Sequence, residues 1–205
     1  YVNFPSSLIK DAVEAISSFP GIGKKTALRL AIHLLRNKKQ AHHISESIKR
    51  MVDLTEYCSN CHNISKHELC EICNSNTRNK KMICIVEDIR DIIALEHTMQ
   101  YKGRYHELGG LISPIEGVGP SELNIDSLMK KILNNNIEEV IFALCASMEG
   151  ETTSYYIYKK IMNFDLKITT ISKGISIGSD LEYTDQVTLG RALLNRYSFE
   201  QNLKQ

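Results

Sequence analysis

Apolar residues recur at helical spacing through the first quarter of the chain. Further on they gather into short unbroken runs. Leu8, Ile9, Ala12, Val13 and Ile16 share one face of a predicted helix over 6–18. Phe19-Pro20-Gly21-Ile22-Gly23 ends it, because Pro and two Gly do not fit a helix interior. A second helix is predicted over 24–37, with Ala27, Leu28, Leu30, Ala31, Leu34 and Leu35 turned inward, and a third over 44–56. Residues 57–80 show no apolar period and are rich in Cys, Asn and Ser. Met82-Ile83-Cys84-Ile85-Val86 then reads as a strand buried on both faces of a parallel sheet. Predicted elements alternate from there: helix 89–97, strand 101–108, a Gly/Pro-punctuated loop 109–120, helix 122–134, strand 139–144, helix 150–162 and strand 167–171. A loop over 174–183 and a last helix over 184–196 follow. The expected fold is therefore a multi-module α+β and α/β chain. A helical front is followed by a small core-poor segment, an α/β domain with a mostly parallel sheet, and a C-terminal helical segment.

Composition narrows the class without deciding it. The 205 residues are 42% hydrophobic and 24% charged, as in ordinary globular chains. The longest apolar runs, such as 140–145, are too short to span a bilayer, so no membrane role is expected. Tyr1 opens a polar segment with no signal-peptide pattern, and the expected compartment is the cytoplasm. Because the first residue is not Met, the gene is expected to start upstream. The net charge of +1 is unevenly spread. Residues 1–80 carry 12 Lys/Arg against 7 Asp/Glu, and residues 81–205 carry 13 against 17. A basic front suits phosphate and an acidic rear suits a basic partner or a metal, although chance also produces such an imbalance.

The turn at 19–23 carries the first candidate chemistry. Gly21 and Gly23 permit a tight turn and leave backbone amides free at the start of the next helix. Those donors, with the helix dipole, suit a phosphate oxygen, and Lys24, Lys25 and Arg29 add charge within two turns. The string from Pro20 to Ala27 resembles a helix-hairpin-helix DNA-binding motif, which holds the DNA backbone without reading bases. An ordinary connection between helices with a solvated basic end fits the same residues. A Walker-type nucleotide loop does not, since its spacing is absent.

Four of the six cysteines fall within sixteen positions, as Cys58-x-x-Cys61 and Cys70-x-x-Cys73. In a cytosolic chain such clustering favours metal over disulfides. Two knuckles complete the closed tetrahedral sulfur set that zinc prefers, which leaves no open position for catalysis. One structural Zn2+ per chain is expected, and it would supply the folding energy that this core-poor segment lacks. An iron–sulfur cluster and a redox pair use the same residues. His62 and His67 stand within the loop, where either is a possible substitute ligand. Cys84 and Cys145 are expected to be buried strand residues with a packing role.

The rear half resembles a Toprim domain. Catalytic members place a Glu after the first strand and an Asp-x-Asp after a later one, together holding Mg2+. Glu87 stands at the first position, but Cys145 and Ser147 stand where the aspartates would be. The resemblance therefore implies a degenerate site without catalysis. Tyr155, Tyr156 and Tyr158 are expected to pack or face solvent rather than act as nucleophiles. Glu87, Asp91 and Glu149, among neighbouring acids, are candidates for a protein-docking face, and a merely solvated acidic surface remains open.

A helix-hairpin-helix, a four-cysteine finger and a degenerate Toprim domain, in that order, resemble the RecR family of bacterial recombination mediators. Strings along the chain carry the likeness: Phe19-Pro-Gly-Ile-Gly23, the knuckles, Ile85-Val-Glu87, Tyr101-x-Gly-x-Tyr-His106, Gly110-x-x-Ser-Pro114, Glu149-Gly-Glu-x-Thr153 and Gly178-x-Asp-Leu-Glu-Tyr-Thr-Asp185. At 144–148 the family is more polar than this chain. The resemblance implies a non-enzymatic homo-oligomeric clamp, often a tetramer, that encircles DNA. It implies partnership with RecO, in many bacteria also RecF, to load RecA onto strands coated by single-strand-binding protein. It implies a cytoplasmic, nucleoid-associated site of action, with Lys25 and Arg29, and Lys24 nearby, on the DNA side. It also implies that 193–197 pack on the Toprim core or on a neighbouring subunit. The expected regions are 1–56 (hairpin), 57–80 (finger), 81–174 (Toprim-like) and 175–205 (C-terminal). A metal-dependent Toprim nuclease or topoisomerase-like enzyme, and a zinc scaffold that binds only proteins, are the alternatives.

Overall fold

A computed structural model describes residues 6–134, 136–196 and 198. The chain forms two compact units, Tyr1–Thr55 and Glu56–Gln205. Among the described residues, no helix is long and apolar enough to cross a membrane.

The first unit holds helices α1 (Ser7–Ser17), α2 (Lys24–Arg36) and α3 (Lys38–Leu54). Ser6 starts α1 by accepting the Leu8 amide on its hydroxyl at 3.2 Å. Val13 of α1 and Ala27 of α2 are fully buried. The expectation that Leu30 and Leu35 turn inward is corrected, because both are exposed. Three short helices have too little interior to cover so wide an apolar stripe. Helix α3 begins six residues before its apolar period does. Asn37 breaks α2 with φ −120° and ψ 63°, and a polar first turn, Lys38-Lys39-Gln40, follows at once.

The second unit opens with a two-stranded antiparallel hairpin, β1 (Glu56–Tyr57) and β2 (Ile64–Ser65), and one helical turn, α4 (Glu71–Asn74). Then come β3 (Asn79–Val86), α5 (Ile89–His97), β4 (Gly103–Glu107), α6 (Ile125–Asn134), β5 (Glu139–Phe142), α7 (Met148–Ile161), β6 (Lys167–Thr170) and α8 (Gln186–Leu194). The four later strands form one parallel sheet in the order β4-β3-β5-β6.

The unbroken apolar run of β3 follows from burial on both faces. Ile83 and Ile85 point into a core completed by Leu128 and Ile132 of α6, Val140 and Phe142 of β5, and Ile157 and Ile161 of α7. Cys84 and Val86 point the other way, onto Ile92 of α5 and Tyr105 of β4. The alternation is the period of two that a strand imposes. Arg78 forms a two-pronged ion pair with Glu96 and also donates to the Tyr101 carbonyl at 3.1 Å. The Tyr105 hydroxyl donates to the same carboxylate at 2.7 Å, which ties α5 to the front of the sheet. Helix α6 starts later than its apolar pattern suggests, because Pro120–Glu122 forms a separate 3-10 turn.

Strand order reverses between β3 and β5, since β4 lies on one side of β3 and β5 on the other. In open α/β sheets ligands bind beyond the carboxyl ends of strands at such a reversal. Glu87 and residues 143–147 leave the sheet there.

Candidate functional site

The hairpin joins α1 to α2. Gly21 has φ +78°, a left-handed conformation that a side chain would strain, and nothing lies within 4 Å of where its Cβ would be. The Ile22 amide donates to the Phe19 carbonyl at 3.1 Å and closes the turn. Gly23 starts α2 without a side-chain cap, and the first turn of α2 holds no acid. Lys24, Lys25 and Arg29 are exposed. A helix N-terminus with open amides, flanked by exposed cations, is a physical recipe for holding phosphate.

The four knuckle cysteines come together. Their sulfurs lie within 4.8 Å of one another, and all four residues are buried. The first knuckle fills the β1–β2 connection, where the Cys58 amide donates to the Asn63 carbonyl at 2.8 Å. The second begins α4, where the Cys70 sulfur accepts the Cys73 amide at 3.4 Å. The sulfurs of Cys61 and Cys70 lie 3.5 Å apart. So many thiols cannot all ionise in that space without a cation. The Cys61 thiol is pushed far up, first by its hydrogen bond to Cys70, whereas Cys70 is pushed down to about 2 by accepting that bond. A divalent ion removes the conflict, and a closed, buried, all-sulfur set is what structural zinc takes. His62 and His67 are not part of the cluster. His67 is exposed, and His62 turns through φ +66° to bond Ser127 Oγ at 2.8 Å.

Around the cluster lies a polar shell supplied by the Toprim-like sheet. The Glu107 amide donates to the Cys61 carbonyl at 3.0 Å. Arg104 donates to the Cys73 carbonyl at 2.7 Å, and Lys131 of α6 donates to the Asn60 carbonyl. Asn60 Nδ2 in turn donates to the Cys73 sulfur at 3.3 Å. His106 is fully buried. Its Nε2 lies 2.7 Å from the Asn124 carbonyl and its Nδ1 lies 3.0 Å from Lys131 Nζ. The carbonyl requires Nε2–H to donate, so Nδ1 accepts from Lys131. The ring edge also meets His62, with centroids 5.2 Å apart.

Burial, and then the Lys131 charge, push the His106 imidazole down to about 3. The folded state therefore binds fewer protons than the unfolded state between pH 6.5 and 3, and stability falls as pH drops through that window. At pH 5 the loss from this ring is about 2 kcal/mol. In urea unfolding, a His106→Gln variant is expected to shrink the difference in stability between pH 7 and pH 5 by that amount. An unchanged difference would contradict the assigned protonation.

At the carboxyl ends of the strands no three acids among the described residues come close enough to share an ion. Asp91 Oδ2 accepts the amides of Glu87 and Asp88 at 3.1 and 3.3 Å, so it caps α5 from the first turn. Burial raises the Glu87 carboxyl, and neighbouring Asp91 and Asp88 add to this. Glu107, which sequence reasoning missed, is pushed up to about 7 by burial and by Asp88 and Asp91. One of its oxygens is buried without a hydrogen-bond partner among the described residues. The signal for it was its place directly after the Tyr105-His106 string at the end of β4. Among the described residues only the four cysteines form a group able to share an ion. Glu149 lies in the first turn of α7.

Cys145 corrects an expectation, because it is exposed and not in a strand. Strand β5 ends at Phe142, and Cys145 stands in the loop before α7 with its sulfur 3.1 Å from Ser147 Oγ. Ser147 caps α7 by accepting the Gly150 amide at 3.1 Å. Gly150 is required there, since a Cβ would lie 2.1 Å from the Cys145 carbonyl oxygen. Tyr155 and Tyr158 are exposed, and Tyr156 packs on the core. In the C-terminal segment Arg191 of α8 pairs with Glu151 of α7 at 3.0 Å, and Leu193 and Leu194 are exposed. Tyr197 and 199–205 lie outside the described residues.

Hairpin, buried four-thiol finger and parallel sheet define a modular Toprim-type protein with a structural metal. Residues 9–52 match the family described as RecR, helix-hairpin-helix, and 57–75 match the RecR zinc finger domain with four cysteine ligands. Residues 81–172 match the Toprim domain, and 174–197 match RecR, C-terminal. The chain belongs to the RecR family. It is 53% identical over 204 residues to "Recombination protein RecR" of Flavobacterium johnsoniae, covering 99% of each. It is 48% identical over 204 residues to the Flavobacterium psychrophilum protein of that name, again covering 99% of each. The Cytophaga hutchinsonii protein of that name is 50% identical over 201 residues, covering 97% of this chain and 98% of the relative.

Proposed function

We propose that the chain acts in recombinational DNA repair as a non-catalytic, sequence-independent DNA clamp. With RecO, and with RecF where that protein is present, it loads RecA onto strands coated by single-strand-binding protein. This role follows from the family resemblance. The observation that carries DNA binding is the open amide end of α2 beside exposed Lys24, Lys25 and Arg29, with Gly21 and Gly23 leaving room for a phosphate. Cys58, Cys61, Cys70 and Cys73 hold one structural zinc. Glu87, Asp91 and Glu149 form the partner-docking face.

The lack of catalysis rests on Cys145 and Ser147, which put a sulfur and a hydroxyl where a magnesium site needs carboxylates. Homo-oligomerisation is supported by Ile44, Ile48, Met51 and Val52 of α3, all exposed and apolar, and a tetramer is what the family resemblance implies. The four regions 1–56, 57–80, 81–174 and 175–205 are the functional divisions, and the chain works in the cytoplasm at the nucleoid.

Binding to DNA is expected to fall steeply with salt through counterion release. A Lys25→Glu/Arg29→Glu variant, measured by fluorescence anisotropy with RecO present, is expected to weaken binding to every sequence alike. Its salt slope should drop by about 2. Unchanged affinity would remove the hairpin from the DNA site. Mg2+-dependent DNA cleavage abolished by Glu87→Gln would overturn the non-catalytic reading. A monomeric mass in light scattering, with and without DNA, would overturn the clamp.

A further inference from the structure

Lys131 needs an explanation that the finger and the sheet do not give when taken separately. Its ammonium is half-buried, yet it joins none of the ion pairs among the described residues. Its near neighbours are the Asn60 carbonyl and the Nδ1 atom of His106. An ammonium drawn even partly out of water is favoured by a nearby anion, so such charges are normally paired. Lys131 connects to the cysteine cluster through Asn60, whose carbonyl it bonds and whose side chain donates to the Cys73 sulfur at 3.3 Å. Arg104 stands in a matching position. It grips the Cys73 carbonyl of the second knuckle as Lys131 grips the Asn60 carbonyl of the first. Its Nε is buried without a partner among the described residues. Lys131, Arg104, Asn60 and Lys80 line one small cavity beside the finger, and none of the residues that line it is a carboxylate.

Four thiolates around a divalent ion leave an excess of negative charge that burial cannot tolerate alone. We propose that Lys131, supported by Arg104, is the counter-charge of the zinc tetrathiolate, so that retention of the metal depends on a helix of the Toprim-like domain. This rests on the four cysteines holding zinc. Lys131 is a positioning residue. It touches no ligand sulfur, and acts through Asn60, whose side chain bonds Cys73, and through its field on the thiolates. Outer-shell partners of this kind typically change metal affinity by roughly 10–100-fold when replaced.

The test uses the full chain loaded with zinc and titrated against a chromophoric chelator. Lys131→Gln keeps a donor for the Asn60 carbonyl but removes the charge, and Lys131→Met removes both. Each is expected to hold zinc roughly 10–100-fold more weakly than the parent. Lys131→Arg keeps the charge and is expected to stay within roughly threefold. In cobalt-substituted protein the thiolate-to-metal absorption of Lys131→Gln is expected to move to longer wavelength, a change that loss of packing alone does not produce. If Lys131→Met does not fold, Lys131→Gln decides. Equal zinc affinity in the parent and Lys131→Gln, or an Arg variant as weak as Gln, overturns the counter-charge. A parent protein without zinc by elemental analysis overturns the ligand assignment itself, and the counter-charge with it.

Discussion

Replacing Cys73 by Ser is expected to unfold residues 57–75 while the parallel sheet survives. The interior of this segment consists of Cys58, Cys61, Cys70 and Cys73, with Ile72 packed against them. Its strands are two residues long and its helix is one turn, and neither is stable alone. The metal must supply what a hydrophobic core would supply elsewhere, and structural zinc sites contribute about 10–16 kcal/mol. Limited proteolysis with mass mapping is expected to cut first inside 57–75 in the variant, and equally in parent protein stripped by a strong chelator. A cleavage map identical to that of the zinc-loaded parent would show that the finger is held by something else.

Gly150→Ala should be a strongly damaging single-methyl change in the Toprim-like part. The added carbon would sit 2.1 Å from the Cys145 carbonyl oxygen and 3.1 Å from its sulfur. The oxygen belongs to backbone and cannot swing aside, so either the loop before α7 or the helix itself must move. Overpacking of this severity costs about 3 kcal/mol. Gly174→Ala is the control, because no atom lies within 4 Å of its Cβ position and its φ is ordinary. It should shift stability by no more than about 0.5 kcal/mol. Urea denaturation of both variants distinguishes a local steric conflict from a general intolerance of alanine.

What the sequence disclosed, and what it hid, divides along the range of the interactions. Helix α5 matches its predicted span, because an apolar period and the Asp88–Asp91 capping box are both local. Strands β3 and β5 of the parallel sheet were legible from their apolar runs. Helix α3 hid its first turn, since Lys38-Lys39-Gln40 has no apolar residue to reveal it. The small strands of the finger have no periodicity of their own, because a metal site rather than a core holds them. Cys145 was misplaced because Val140 to Cys145 reads as one apolar run, and only the tertiary fold shows that strand pairing with β6 stops at Phe142. The zinc ligands announced themselves by spacing. Lys131, Arg104 and Ser127 did not, because they reach the finger from 31 to 71 positions away along the chain.

That separation has a consequence for synthesis of the protein. The knuckles leave the ribosome well before α6 does. A nascent chain that ends near residue 100 already carries four thiols able to take up an ion, but it has neither Arg104 nor Lys131 to enclose them. Until α6 emerges the thiols are open to oxidants and to competing metals. The hydrogen bonds from Arg104 and Lys131 to the knuckles can form only after about 130 residues have been translated, so the finger is enclosed later than its thiols become able to take up an ion.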